Sequence, residues 1–228
     1  MSKNRSIKNT SKELSALLKA CVPKNISILD RCKIIYRPYI TPFADLLNLI
    51  PLRSKIFDIG CGNGALLNLI FQTKMPEKIG GVEINKKLVA NANELLRNAF
   101  KEDKIADQKA GIKEYDGIHL PDLTEYDLIL LVDVIHHIPR QQLELFLTRL
   151  KNKMKPGAVL ICKDIDAGKR ILVWFNKLHD LLVSQETGNE ISMKKAEEKL
   201  TRAGFKVVSS EYKRMLWYPH YTIISNAW

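Results

Sequence analysis

Apolar and polar positions change their period along this chain of 228 residues. Between residues 12 and 50 the apolar positions fall at helical spacing. Leu14, Leu17, Leu18 and Cys21 mark a first helix, which Pro23 interrupts. A second helical pattern covers Ile26 to Tyr36 and runs into Arg37-Pro38-Tyr39-Ile40-Thr41-Pro42, and a third covers Phe43 to Ile50. From residue 55 on, short apolar runs that read as strands alternate with helical patterns. The runs are Ile56–Ile59, Lys78–Val82, Ile112–Tyr115, Asp127–Val132 and Ala158–Ile161; the helical patterns are Leu66–Gln72, Lys86–Phe100 and Arg140–Lys153. Residues 117 to 126 contain Pro121 and read as a loop. A sixth strand starts at Phe205 and reaches Tyr212 or beyond, and a seventh, Tyr221 to Ser225, returns antiparallel to it. The alternation predicts an α/β fold: a doubly wound, mostly parallel sheet with helices on both faces and an N-terminal helical cap.

One further helical pattern lies between the fifth and sixth strands. From Lys169 to Val183, apolar residues stand at 171, 174, 175, 178, 181 and 182, the spacing of an amphipathic helix. A covering helix at about 168–184 would lie above the carboxyl ends of the strands, with Trp174 and Phe175 lining a substrate. The same face could instead pack on the sheet or on the cap.

The first strand carries the most informative stretch. Ile56-Phe57-Asp58-Ile59 delivers an acid into Gly60-Cys61-Gly62-Asn63-Gly64, and a helical pattern follows at once. A strand, a glycine loop and a helix start form a cradle for a polar ligand at a helix N-terminus. Asp58 would repel a pyrophosphate and favour a cationic ligand. Roughly twenty residues later the second strand ends in Glu83-Ile84, the place where a carboxylate takes ribose hydroxyls in a Rossmann-like unit.

These motifs resemble those of class I S-adenosylmethionine-dependent methyltransferases, over roughly residues 36 to 228. The resemblance extends to Asp116-Gly117 after the third strand, where that family places an acid on the adenine amino group; Asp107 competes for this role. It extends to Asp133-Val-Ile-His136-His137-Ile-Pro139, similar to the stretch found in the branch that methylates quinones, lipids and other small molecules. Leu150 to Ile161, around Lys155-Pro156-Gly157, and Leu200 to Val208, around Gly204, complete it. The resemblance implies a Rossmann-like fold and S-adenosyl-L-methionine as cofactor, held by Asp58, Gly60, Gly62, Gly64, Glu83, Ile84, Asp116, Gly117 and Asp133. Tyr36 and Arg37 are expected to cover the cofactor or take its carboxylate; the tyrosines could instead staple the cap to the sheet.

Ligands of open parallel sheets bind at the carboxyl ends of the strands. There the candidate catalytic residues are His137, Asp164 and His220, with Tyr39, His136, Trp174, Phe175 and Tyr218 toward the acceptor. His137, Asp164, Tyr218 and His220 are expected to converge on one pocket. The leading expectation is methyl transfer to a small-molecule or lipid-like acceptor at oxygen, nitrogen or carbon. The alternatives are an RNA methyltransferase and a non-catalytic subunit of the same fold. Against RNA, the fourth strand lacks an Asp/Asn-Pro-Pro-Tyr grip for a flipped base, and no Pro-Cys pair serves cytosine attack.

Charge adds one feature. The net charge is +11 with a pI of about 9.4; residues 1 to 40 carry +7 of it. A basic N-terminal arm, residues 1–45 with the cap, could meet nucleic acid or an anionic membrane surface, or could be a solvated tail. The remaining 46–228 form the expected catalytic domain. No apolar stretch approaches the roughly 20 residues of a membrane span, and Met1–Ser11 is polar, so the expected location is cytoplasmic. Cys21, Cys32, Cys61 and Cys162 show no metal-ligand spacing.

Overall fold

The computed structural model describes residues 10–100, 110–167 and 189–228. Three helices open it: α1 (Ser11–Cys21), α2 (Ile28–Ile40) and α3 (Phe43–Leu49). The alternating part follows as β1 (Lys55–Ile59), α4 (Ala65–Lys74), β2 (Lys78–Glu83), α5 (Lys86–Phe100), β3 (Ala110–Glu114) and β4 (Leu128–Val132). A short 3₁₀ turn (Ile135–His137) precedes α6 (Arg140–Lys153), β5 (Val159–Ile165), α7 (Met193–Arg202), β6 (Phe205–Met215) and β7 (Tyr218–Ala227). No helix separates β3 from β4, as expected from Pro121.

The seven strands form one sheet in the order β3-β2-β1-β4-β5-β7-β6. The first five pair in parallel, and β7 runs antiparallel between β5 and β6. This is the expected Rossmann-like, doubly wound architecture. Strand residues alternate between two apolar clusters. Ile56, Leu128, Leu130 and Ile161 face α1, α3, α4 and α5, whereas Phe57, Ile129, Leu131 and Cys162 face α6 and α7. Leu14, Leu18, Ile34 and Phe43 of the cap belong to the first cluster, so cap and sheet share one core.

Several elements run longer than expected; β5 reaches Ile165 instead of Ile161, so Lys163 and Asp164 lie within it. The second helix was expected to end at Tyr36, yet α2 continues to Ile40 with Pro38 inside it. Pro38 removes the donor that would reach the Ile34 carbonyl, and its ring crowds that carbonyl. Ile34 and Pro38 are buried on the same side, and that packing holds the turn. The seventh strand was expected to start at Tyr221, after a Trp217–His220 connection, but β7 begins at Tyr218. The carbonyl of Pro219 accepts from the Asp166 N–H at 2.7 Å, on the side facing β5. The N–H that proline lacks would have pointed the same way, so β6 loses no rung.

Candidate functional site

The site is built on the turn after β1. Gly60, Gly62 and Gly64 have φ of +72°, +56° and +74°, a left-handed conformation that side chains disfavour. Two of them also have no room. A Cβ on Gly60 would lie 2.6 Å from Val134 Cγ2, and one on Gly64 would lie 2.9 Å from the Ala92 Cβ. At Gly62 a Cβ would meet nothing within 4 Å, so the loop opens outward there. The Gly62 N–H donates to Glu83 Oε2 at 2.9 Å, and the Asn85 N–H donates to Oε1 at 3.0 Å. Glu83, at the end of β2, is thereby fixed beside the open part of the loop.

Asp58 lies below that opening, in β1. It is buried, and its Oδ1 has no hydrogen-bond partner. Burial, then the nearby Glu83 and Asp133 carboxylates, push its pKa well above the ordinary value. A buried acid crowded by two others is costly as an anion unless a cation joins them. The arrangement fits a ligand bearing a positive group.

On the other side of Glu83, Ile84 is exposed and lies next to Gly117, where a Cβ would be 3.8 Å from the Ile84 Cδ1. Asp116, expected to take an adenine amino group, is engaged by its own turn. It accepts from the Ile118 and His119 N–H groups at 2.8 and 2.7 Å and lies 2.6 Å from the His119 ring. The His119 backbone bond leads in drawing its pKa down to about 2. The competing Asp107 lies outside the described residues.

The carboxyl ends of β4 and β5 hold two charge groups. Asp133 follows β4 with φ +57° and receives Arg37 of α2 at 2.6 Å on Oδ2 and Lys163 of β5 on Oδ1. Lys163 is wholly buried. Burial opposes the Asp133 charge, but Lys163 and Arg37 outweigh it and hold the carboxylate ionised far below its usual range. The second group is His136 with Asp164. The His136 ring Nδ1 lies 2.7 Å from Asp164 Oδ1, and its backbone N–H donates to Oδ2 at 3.3 Å. Burial works against the charged ring, yet Asp164 raises its pKa to about 9. His137 is exposed, its ring 4.0 Å from that of His136.

His220 is buried on β7. Its Nε2–H donates to the Ile40 carbonyl at 2.7 Å, so its Nδ1 carries the lone pair, and that atom is buried without a partner. Burial, then the Lys163 cation, push its pKa down to about 3. Tyr218 stacks on it at 5.9 Å and packs with Ile165 and Ile40.

The four residues expected in one pocket divide. Ile165 pairs with His220, and Asp164 with Tyr221. Neighbouring strand positions point to opposite faces, so His220 lies on the cap side with Tyr218, and Asp164 lies on the other with His136. Tyr36 and Tyr39 are exposed, with rings 6.2 Å apart. Trp174, Phe175 and the covering helix lie outside the described residues. Lys163 was missed by sequence reasoning. Its signal was a lysine inside the apolar run Leu160-Ile-Cys-Lys-Asp-Ile165, where only a paired charge is tolerated.

This loop, acid and sheet order define a nucleoside-binding fold of the methyltransferase class. The chain belongs to the family described as "Methyltransferase domain", whose profile matches residues 33–210. An uncharacterized methyltransferase of Schizosaccharomyces pombe is 28% identical over 144 residues, which is 62% of this chain and 50% of the relative. The chain thus spans about half the length of that curated relative. Among solved structures, magnesium protoporphyrin IX methyltransferase from Synechocystis with bound S-adenosylhomocysteine matches with a TM-score of 0.65 and 15% identity, over 93% of this chain and 94% of that one. A chain from the complex between the Haloferax volcanii Trm112 methyltransferase activator and a proposed methyltransferase matches with a TM-score of 0.66 and 14% identity, over 84% and 90%. At such identities the likeness is one of fold.

Proposed function

We propose that this chain transfers a methyl group from S-adenosylmethionine to a small-molecule or lipid-like acceptor. The observation that carries the reading is the unpartnered, buried Oδ1 of Asp58 under the open glycine loop. A cationic amino group would supply the missing partner. Glu83, already fixed by two backbone N–H groups, would take ribose hydroxyls, and Ile84 with Gly117 would line the adenine. S-adenosylmethionine would bring a methyl group on a cationic sulfur, a good leaving group, so the protein has mainly to position and desolvate.

On the acceptor side, two of the three histidines expected there carry this reading, His136 and His220. His136, charged near neutral pH and oriented by Asp164, is a hydrogen-bond donor for an acceptor oxygen. His220 is held uncharged with its pKa pushed down to about 3, so it is a weak base, and its Nδ1 lone pair would serve the acceptor as a hydrogen-bond acceptor. His137 is exposed and lies against the His136 ring.

The test is calorimetry with S-adenosylhomocysteine and, in parallel, NAD. Heat is expected from the former alone. Glu83→Ala should weaken binding by roughly 2–3 kcal/mol, because two hydroxyls lose a charged partner. Binding of NAD in place of the nucleoside overturns the proposal. For the acceptor side, His220→Ala should lower turnover by up to roughly tenfold on a hydroxyl acceptor, through the loss of one hydrogen bond, with cofactor affinity unchanged. His137→Ala should leave turnover within about twofold of wild type.

A further inference from the structure

The cap helix α2 is apolar on both sides. Ile34 and Pro38 face the core and are buried. The opposite face carries Ile28 at 80% exposure, Leu29 at 74%, Tyr36 at 60% and Tyr39 at 39%. Their spacing places them on one side of the helix, over about 17 Å of its length. The C-terminal end of this helix meets the β6–β7 hairpin. Ile40 packs on Tyr218 and bonds His220, and Lys213 pairs with Asp45 just beyond α2. The hairpin turn then exposes two more large apolar side chains, Leu216 at 56% and Trp217 at 41%. Arg37, on the same helix, reaches Asp133 in the candidate site, so this apolar rim borders the site's mouth.

The rim is basic as well as apolar. Lys24, Lys33 and Arg214 are exposed around it. Aliphatic side chains gain nothing from phosphates alone, which argues against nucleic acid as the occupant. A two-fold pairing of copies would bring the same basic patch of each copy together, which argues against self-association. Exposed Ile and Leu with Tyr and Trp at the border and cations beside them suit the headgroup zone of a bilayer. No helix among the described residues is long and apolar enough to cross a membrane. The chemistry is that of a protein lying on the surface.

We propose that the outer face of α2 and the tip of the β6–β7 hairpin dock on a bilayer containing anionic lipid, bringing the mouth of the site to the interface. The purpose rests on the lipid-like acceptor reading above: an acceptor dissolved in the bilayer would enter without crossing water. The docking itself does not depend on it.

The experiment is flotation of the full chain with phosphatidylcholine vesicles, with and without phosphatidylglycerol. The variants are the double substitution Ile28→Asp with Leu29→Asp, and Trp217→Ser. Acids suit the first turn of a helix, so α2 should persist in the double variant; an unchanged melting temperature checks this. Wild type should float with the mixed vesicles, more weakly with phosphatidylcholine alone. The double variant should lose about tenfold or more of its vesicle affinity, and Trp217→Ser should lose a smaller factor. S-adenosylhomocysteine affinity in solution should be the same for all three proteins. Absence of flotation overturns the proposal. So does full flotation of the double variant that salt abolishes, since basic residues alone would then carry it. Binding to RNA without vesicle binding, or a dimer that the double variant dissolves, also overturns it. Vesicle binding without S-adenosylhomocysteine binding would support the docking while removing the methyltransferase reading.

Discussion

At the residue scale, two histidines with opposite environments set how the fold responds to pH. His136 is held by Asp164 with a pKa of about 9, above the ordinary 6.5. The folded state therefore binds more protons than the unfolded one between about 6.5 and 9. This contribution is complete below 6.5 and fades as pH rises toward 9. His220 is pushed down to about 3, so the unfolded state binds more protons between about 3 and 6.5. Its contribution is complete above 6.5 and fades as pH falls. Stability should peak near pH 6.5, with the alkaline arm worth at most about 3 kcal/mol and the acid arm at most about 5 kcal/mol. Urea unfolding across pH checks this. His136→Gln should flatten the alkaline arm, and His220→Gln the acid arm; two unchanged arms would refute the assignment. The tilt of each pKa was not legible in the sequence. The adjacent pair His136-His137 gave no sign of which ring would meet Asp164, because the choice is made by the 3₁₀ turn. The glycine loop was legible residue by residue, since both its left-handed backbone and its close approaches demand glycine.

At the element scale, α2 is tied to the sheet through Asp133. Removing the outer cation and removing the carboxylate have unequal effects. Arg37 is partly exposed, and an exposed ion pair is worth about 1 kcal/mol or less. Arg37→Ala should therefore barely change global stability, yet amide exchange over the last turn of α2 should quicken. Asp133→Asn leaves Lys163 buried with no countercharge and should cost about 3–5 kcal/mol. Hydrogen exchange and denaturant unfolding separate the two; equal losses would contradict the picture. The elements themselves were largely visible in the hydrophobic pattern. Lys86–Phe100 and Arg140–Lys153 appear with the expected limits. Two of the misplaced ends, Ile40 and Tyr218, adjoin prolines, and each element continues past its proline at the loss of one backbone donor.

At the scale of the whole molecule, the sheet carries its helices on two faces, and β7 lies inside it between β5 and β6. Ile223 of β7 is fully buried between the faces, whereas Val208 on the outer strand β6 is exposed. Ile223→Ala should cost about 2–5 kcal/mol. Val208→Ala should cost less than about 1 kcal/mol, by the same unfolding measurement. Similar costs would place β7 at the margin of the cooperative unit.

The strand order has a consequence for how the chain is made. β6 pairs with β7, and β7 in turn pairs with β5. During synthesis β6 leaves the ribosome ahead of the only strand it pairs with in this sheet, and the flank of β5 waits uncovered beside it. Docking then has to happen as a hairpin: Met215 and Tyr218 meet first across the turn, and the ribbon zips back toward Phe205 and Ala227. A pause in translation just before Tyr218 would hold open a strand edge that can pair with another chain, which makes the short interval between these two strands the most aggregation-exposed moment in this protein's birth.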